Sequence, residues 1–145
     1  MSKRKIFVSF DYENDRKHKY LLEAWNGNDE FEFEFDDKST KEINSWNIPT
    51  IKAALTAKIR SAEYTIVIVG EEANKRHKDS ALIGYKNWQN FEIAKSKENG
   101  NKIIAIKINR LYESPEELLG CNASWAYSFT EEAIMRAVRS ARWMR

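Results

Sequence analysis

The sequence predicts an α/β fold in which a parallel sheet of five strands is covered by helices on both faces. Short apolar or alternating runs, typical of strands, occur five times along the 145 residues. The segments between them carry apolar residues at helical spacing, so strands and helices alternate. One run, YTIVIV at residues 64–69, is almost continuously apolar, as expected of a central parallel strand.

The elements of the first half follow from local patterns. A strand is predicted over residues 5–10, then an amphipathic helix over DYENDRKHKYLLEAW that ends at Asn26-Gly27-Asn28. Residues 31–36 alternate between Phe and Glu, which predicts a half-exposed strand near a sheet edge. A polar loop and a further helix follow. The apolar residues of that helix are Ile48, Ile51, Leu55, Ile59 and Ala62, with Pro49 in the first turn.

The second half continues the alternation. Gly70 ends the strand at 64–69, and a long polar loop leads to a helix that ends at Asn99-Gly100. Residues 102–108 are predicted to form the fourth strand and residues 124–129 the fifth. Between them, Ser-Pro-Glu-Glu at 114–117 has a capping-box pattern with Pro at the first helical position, which predicts a short helix closing at Gly120. Thr130 is expected to cap a last helix.

These elements favour a three-layer, flavodoxin-like domain with strand order 2-1-3-4-5, because the alternating second strand suits an edge and the first suits the interior. A ligand is then expected beyond the carboxyl ends of the strands, near the switch point between strands 1 and 3. The loops there comprise residues 10–14, 36–46 and 70–87, and the last two are long enough to suggest function or mobility. One domain, residues 1–145, is expected from the length.

Composition excludes several function classes. The 24 basic and 22 acidic residues nearly balance, which does not favour nucleic-acid binding, and the C-terminal arginines suit a helix dipole. A single cysteine, Cys121, allows no intrachain disulfide, and with two histidines a zinc site has too few ligands. No apolar run approaches membrane-spanning length, and the short apolar start resembles a strand more than a signal peptide. A reduced cytoplasmic protein without metal, cofactor or membrane partner is expected.

Familiar catalytic motifs are missing from the sequence. There is no Gly-x-Gly-x-x-Gly after the first strand, no Walker loop and no Gly-x-Ser-x-Gly elbow. The acidic loop DYEND would repel a flavin phosphate. A response-regulator receiver also has acids there, but it needs an aspartate ending strand 3 and a lysine ending strand 5, where this chain has Val-Gly-Glu and Phe-Thr. A receiver or small-ligand sensor is therefore less favoured than the two hypotheses given below.

One carboxylate lies within an apolar helical stripe. Trp88 and Glu92 are four residues apart and share a helical face, with Phe91 beside them. The ordinary interpretation is a boundary glutamate that reaches solvent or pairs with Lys86 or Lys95.

Four pieces of the sequence make another interpretation possible. They are FVSFDYEND, FEFDDKS, IKAALTAKIRSAEYTIVIVG and KNWQNFEIAKS. In these pieces the chain resembles the TIR-like family related to the bacterial Thoeris antiphage proteins, a branch of the Toll/interleukin-1 receptor fold. The resemblance runs from Lys5 to Ile108 in the family's order, and the Trp-x-x-x-Glu-Ile helix is its most specific part.

The resemblance implies an enzyme that cleaves NAD, with Glu92 as the catalytic residue and NAD as substrate rather than cofactor. One carboxylate is chemically sufficient, because nicotinamide leaves as a neutral molecule and needs no general acid, unlike the leaving oxygen of ordinary glycosidases. The carboxylate would stabilise the cationic ribose. Attack by water gives ADP-ribose, whereas attack by a group of the same molecule gives a cyclic isomer. The resemblance implies the cyclic product, a signal for a separate effector protein.

Further substrate contacts are expected from residues near this helix and the strand ends: Phe10, Asp11, Asp37, Ser39, Trp88 and Asn90. Ordinary roles compete for each of them. Phe10 and Trp88 suit packing, Asp11 and Asp37 suit loops or caps, and Ser39 and Asn90 suit solvent. Trp46 and Trp125 are expected to pack, Cys121 to be buried, and His18 and His77 to be solvated. The competing hypothesis from another class is a non-catalytic TIR-type adaptor module, and self-association is expected under either.

Overall fold

The computed structural model describes residues 4–25, 33–35 and 47–142. The order of elements is that of an alternating α/β chain. It comprises β1 (Arg4–Ser9), α1 (Tyr12–Trp25), β2 (Phe33–Phe35), α2 (Ile48–Arg60), β3 (Tyr64–Val69), α3 (Ser80–Ile83), α4 (Trp88–Asn99), β4 (Lys102–Lys107), a 3₁₀ turn (Glu116–Leu118), β5 (Ser124–Ala126) and α5 (Glu131–Arg142).

The strands form one sheet in the order β2-β1-β3-β4-β5, and every pair of neighbouring strands is parallel. The predicted α/β fold with a parallel sheet is confirmed. β1 lies between β2 and β3 in the sheet. The chain therefore passes from β1 to one side to form β2, and then crosses to the other side of β1 to form β3. The switch point is at the carboxyl ends of β1 and β3.

Side-chain alternation along the strands divides the core into two layers. On one face, Ile6 and Val8 of β1 belong to a cluster that includes Leu22 of α1 and Ile134 of α5. On the other face, Phe7 packs with the buried residues of α2 and α4. All six residues of β3 are buried, as the continuous apolar run predicts.

Local signals fix the helix ends, and those at Pro49, Gly100 and Thr130 act as predicted. Asn47 caps α2 by accepting a hydrogen bond from the Thr50 N–H at 3.1 Å, with Pro in the first turn. Gly100 ends α4 with a left-handed φ of 76°. The Thr130 hydroxyl accepts a bond from the Ala133 N–H at 3.2 Å at the start of α5.

Two predictions in the second half are wrong in detail. The predicted helix at 114–117 is a 3₁₀ turn, and Pro115 precedes it in an extended conformation instead of opening it. The N–H groups of Glu116 and Glu117 donate to the side chains of Asn74 and Asn90, so distant amides replace the local capping box. The strand β5 ends at Ala126, before Phe129, whose ring packs against His18 and Trp25.

Other expectations concern the loops. The long loop after β3 contains one helical turn, α3, ended by Gly84. Much of the loop after β2, including Asp37, Ser39 and Trp46, lies outside the described residues. Within residues 4–25, 33–35 and 47–142, no helix combines the length and apolar character needed to cross a bilayer.

Candidate active site

A cavity of about 430 Å³ opens at the switch point of the sheet. Three segments line it: residues 10–13 after β1, residues 72 and 75–78 after β3, and residues 87–89 at the start of α4. This is the edge at which parallel sheets present their ligand sites, and it is where the predicted strand order places one.

Glu92 lies buried next to this cavity, with only 3% of its surface exposed. Its Oε1 accepts a hydrogen bond of 2.6 Å from the hydroxyl of Ser9, the last residue of β1. Phe10, which follows Ser9, and Trp88, one helical turn before Glu92, both line the cavity. The Ser9–Glu92 pair is therefore next to lining residues on both elements, although neither Ser9 nor Glu92 is itself a lining residue.

The ordinary interpretation of Glu92 as a solvent-reaching residue is therefore wrong. Both lysines proposed as its partners bond elsewhere: Lys95 pairs with Glu98 at 3.2 Å and Lys86 with Glu116 at 3.6 Å. A carboxylate that is removed from solvent beside a cavity is a candidate for chemistry on a bound ligand.

Sequence reasoning missed two residues of this site, Ser9 and Gln89. The Gln89 amide donates to the Ser9 carbonyl at 3.3 Å and to the Ile68 carbonyl at 2.9 Å, so it joins the carboxyl ends of β1 and β3. Alternation along β1 places Ser9 on the same face as Phe7, which packs under α4. That pattern is the signal from which the Ser9–Glu92 contact was predictable.

Asp11 lines the cavity and also caps α1. Its Oδ1 accepts a bond of 3.0 Å from the Glu13 N–H and its Oδ2 one of 2.7 Å from the Asn14 amide. The same Asn14 nitrogen donates to Glu72 at 2.9 Å, so one amide bridges the loops after β1 and β3. Phe10 and Trp88 are half-buried and line the cavity, and the Trp88 ring meets Phe91 edge to face at 5.7 Å.

Asn90 is fully buried, which contradicts the expectation that it is solvated. Its amide nitrogen donates to Asn87 Oδ1 at 3.0 Å and to Asn74 Oδ1 at 3.1 Å, while its oxygen accepts from the Glu117 N–H at 2.9 Å. We call Asn74, Asn87 and Asn90 the amide network. Asn90 is not among the residues that line the cavity, and in the described structure its side chain fixes the beginning of α4.

The remaining bonds of the amide network hold the loop after β3. The Asn87 side chain caps α4 through the Asn90 N–H at 2.9 Å, and its nitrogen donates to the carbonyls of Ala73 and Lys75 at 2.8 and 2.9 Å. The cavity wall is thus attached to the helix that carries Glu92.

Charges of both signs line the cavity. We call Asp11, Glu13 and Glu72 the acidic wall and residues 75–78, Lys-Arg-His-Lys, the basic wall. The two meet in the loop after β3, where Lys75 pairs with Glu72 at 3.3 Å. His77 is half-buried, and its Nδ1 accepts a bond of 2.9 Å from the Asp79 N–H.

Asp15, on α1, is buried behind the acidic wall with 5% of its surface exposed. Its carboxyl packs on Gly70 at the end of β3, and its Oδ2 has no hydrogen-bond partner. Burial raises the pKa of Asp15 from 3.8 to about 6, and the negative charges of Asp11 and Glu72 add to the increase. Across the described ranges, no three His, Cys, Asp or Glu side chains form a group that could hold a metal ion.

A family model described as "Thoeris protein ThsB, TIR-like domain" matches residues 7–113 of the 145. The chain belongs to the ThsB TIR-like domain family. The matched range contains Phe10, Ser9 and Glu92 together with both walls of the cavity, and it ends before β5.

One solved structure of low sequence identity shares the fold of this TIR-like domain, and a second is similar to a lesser degree. The CMP N-glycosidase BcmB of Clostridium botulinum is 14% identical over 94% of this chain and 98% of its own, with a TM-score of 0.61. The TIR domains of the activated Roq1 resistosome bound to the pathogen effector XopQ are 16% identical over 98% and 86%, with a TM-score of 0.47. No curated protein matches the sequence.

Proposed function

We propose that this TIR-like domain cleaves the bond between nicotinamide and ribose in NAD, with Glu92 as the catalytic residue, and so produces a signal nucleotide derived from ADP-ribose. One observation carries the proposal: the Glu92 carboxylate is buried one helical turn from Trp88, which lines the switch-point cavity, and it accepts a hydrogen bond from the Ser9 hydroxyl. The family membership supports it.

The chemistry requires little beyond one oriented carboxylate. The C1′–N bond breaks, its electron pair passes to the pyridinium nitrogen, and nicotinamide leaves neutral. Positive charge then develops on C1′ and the ring oxygen of the ribose. Glu92 stabilises that charge, more strongly in a buried site than in water. Water adding to C1′ and losing a proton gives ADP-ribose. A nitrogen of the same nucleotide adding to C1′ gives a cyclic isomer.

The aromatic residues Phe10 and Trp88 complete the site on this proposal. Both line the cavity next to the Ser9–Glu92 pair, and their flat faces suit stacking on the nicotinamide ring. Asp37 and Ser39 remain proposed substrate contacts from the loop after β2. Release of the product to a separate effector protein, and assembly of several copies around the site, are parts of the same proposal.

The test is incubation of the protein with NAD, followed by measurement of nicotinamide and identification of the products by mass spectrometry. CMP is the competing substrate to include, because a CMP N-glycosidase shares the fold. We expect nicotinamide release from NAD and a mass that distinguishes linear from cyclic ADP-ribose. Concentrated protein is used, so that a site completed by a neighbouring copy is also detected.

The decisive variant is Glu92→Gln, which keeps the shape of the side chain and removes its charge. We expect its rate to fall by about 10²-fold or more, as when a group that stabilises transition-state charge is removed. Glu98→Gln is the matched control, because Glu98 lies on the same helix and pairs only at the surface with Lys95. Full turnover by Glu92→Gln contradicts the proposal. Absence of turnover by the wild type, with a stable partner complex, favours the adaptor hypothesis.

A further inference from the structure

Gln89 follows Trp88 at the start of α4 and is one of the residues that line the cavity. We propose that its side-chain oxygen accepts a hydrogen bond from the bound ligand, and that Gln89 thereby selects which ligands are held beside Glu92. The ligand's donor is an N–H of the nicotinamide carboxamide or an O–H of the adjoining ribose. This inference rests on the proposed function, since it assigns a specificity-determining residue to the same site.

The orientation of the Gln89 amide is set by its two partners. Both are backbone carbonyl oxygens, of Ser9 at 3.3 Å and of Ile68 at 2.9 Å, and a carbonyl oxygen can only accept a hydrogen bond. The atom that contacts them is therefore the amide nitrogen, and its two hydrogens supply one bond to each carbonyl. No donor remains for a ligand, so toward a ligand Gln89 acts only as an acceptor.

The oxygen of the same amide is left available to a ligand. Within residues 4–25, 33–35 and 47–142, the Gln89 Oε1 has no hydrogen-bond partner, and it is not fully enclosed by protein. Only 5% of the Gln89 surface is exposed and the residue lines the cavity, so this oxygen is accessible from the cavity. A ligand that displaces its water without donating to it leaves the oxygen unpaired, which costs free energy. Ligands that carry a donor at this place are therefore preferred.

Ser9 holds Gln89 and Glu92 in a fixed relation to each other. The Ser9 hydroxyl donates to the Glu92 carboxylate at 2.6 Å, and the Ser9 carbonyl accepts from the Gln89 amide. Gln89 and Glu92 are also three positions apart on α4, which makes them neighbours on one side of the helix. A ligand group that donates to Gln89 consequently lies close to the part of the ligand on which Glu92 acts. On the proposed function, that part is the nicotinamide riboside end of NAD.

Analogues of NAD distinguish the possible donors. In the 3-acetylpyridine analogue a methyl ketone replaces the carboxamide, so the N–H donors are absent. Two deoxy analogues lack the 2′ or the 3′ hydroxyl of the nicotinamide ribose. Because the analogues also differ in intrinsic reactivity, the quantity to compare between protein variants is the preference for NAD, defined as its kcat/KM divided by that of the analogue.

Two substitutions separate the acceptor role of Gln89 from its contacts to the strands. Gln89→Glu keeps an acceptor oxygen but loses the donors to Ser9 and Ile68, whereas Gln89→Leu loses both. We expect Gln89→Leu to reduce the preference for NAD over one analogue by about 3- to 10-fold, the value of one neutral hydrogen bond. Gln89→Glu should retain that preference at a lower rate.

Ser96→Ala is the control, because Ser96 is buried on α4 and does not line the cavity. It should keep every preference of the wild type. Three results overturn the proposal: loss of the preference by both Gln89 variants, loss by neither, or an equal loss against all three analogues. The first and third results are those expected if Gln89 only connects the strands.

A binding measurement separates this proposal from the proposed function. Calorimetric titration of NAD and its analogues into Glu92→Gln requires no turnover. We expect NAD to bind about 3- to 10-fold more tightly than the analogue without the donor, and Gln89→Leu in that background to abolish the difference. If the wild type cleaves nothing but this difference is found, the proposed function fails and this inference stands. If NAD is cleaved but the difference is not found, or if NAD does not bind, this inference fails.

Discussion

The Ser9 hydroxyl donates a hydrogen bond of 2.6 Å to the Glu92 carboxylate, across 83 positions of sequence. The bond joins the last residue of β1 to the second turn of α4, and both residues are buried. It fixes the direction of the carboxylate relative to the sheet edge at which the cavity opens.

Replacing Ser9 by Ala is expected to lower NAD cleavage by about 10- to 100-fold, because hydrogen bonds to charged groups contribute about 1.5–3 kcal/mol. The measurement is the rate of nicotinamide release at saturating NAD. Ser96→Ala is the matched control. The Ser96 hydroxyl is buried on α4, the helix that carries Glu92, but it contacts the Thr65 hydroxyl and the backbone carbonyl of Glu92 instead of the Glu92 carboxylate. A wild-type rate for Ser9→Ala would show that the carboxylate does not depend on this bond.

Asn90→Asp is expected to destabilise the protein by about 2–4 kcal/mol, because it buries a charge and removes the donors to two carbonyl oxygens. Those oxygens belong to Asn74 and Asn87. Chemical denaturation gives the free energy of unfolding. Asn109→Asp is the control. Position 109 is exposed, and an aspartate there still offers a side-chain oxygen to the Leu111 N–H. Equal effects of the two substitutions would contradict a structural role for the amide network.

Gly70→Ala is expected to destabilise the protein through a collision with Asp15. A Cβ at position 70 would lie 1.9 Å from Asp15 Oδ2, and overpacking of this kind costs about 1–3 kcal/mol. Gly70 is not among the glycines with positive φ, so its backbone accepts alanine. In an Asp15→Ala background, Gly70→Ala should destabilise the protein much less, because the colliding carboxyl is absent. A double-mutant cycle of unfolding free energies measures this difference. Additive effects would rule out the contact.

Asp15→Asn is expected to change how stability depends on pH. The pKa of Asp15 is raised in the folded protein from 3.8 to about 6 by burial, then by Asp11 and Glu72, and is opposed by Lys17. The folded state therefore favours the protonated carboxyl. The contribution of the protonated Asp15 to the free energy of unfolding is complete below about pH 4 and is lost as pH rises through about 6.

The variant should consequently match the wild type near pH 4 and exceed it above pH 6. The shift corresponds to at most about 3 kcal/mol, and we expect about 1–2 kcal/mol because solvent in the cavity screens the charges. Unfolding free energies at pH 4 and pH 8 test the difference. A difference that is the same at both pH values would contradict the assignment to Asp15.

Much of the fold was predictable because its signals are local. The continuous run at Tyr64–Val69, the cap at Asn47 and the Asn-Gly end of α4 each act within a few residues. The capping box at 114–117 failed for the opposite reason, since Asn74 and Asn90 supply the acceptors from 42 and 27 positions away.

The site was predictable in part. The strand order predicted a ligand site at the switch point, where the cavity opens, whereas the apolar stripe around Glu92 did not decide whether that carboxylate is buried or reaches solvent. The burial of Asn90 was not predictable, because three asparagines in polar segments resemble ordinary loop and cap residues until their partners are known. The shared lining of the cavity likewise depends on the loops after β1 and β3 meeting at the sheet edge.

The amide network has a consequence for the order of folding. Its bonds connect the loop after β3 and the start of α4 to residues 113–117, which the chain reaches only after completing β4. Contacts of such sequence separation form late, because the intervening chain must first be closed into a loop. During synthesis, these bonds can therefore form only after residue 117 has been made, well after the strands that frame the cavity.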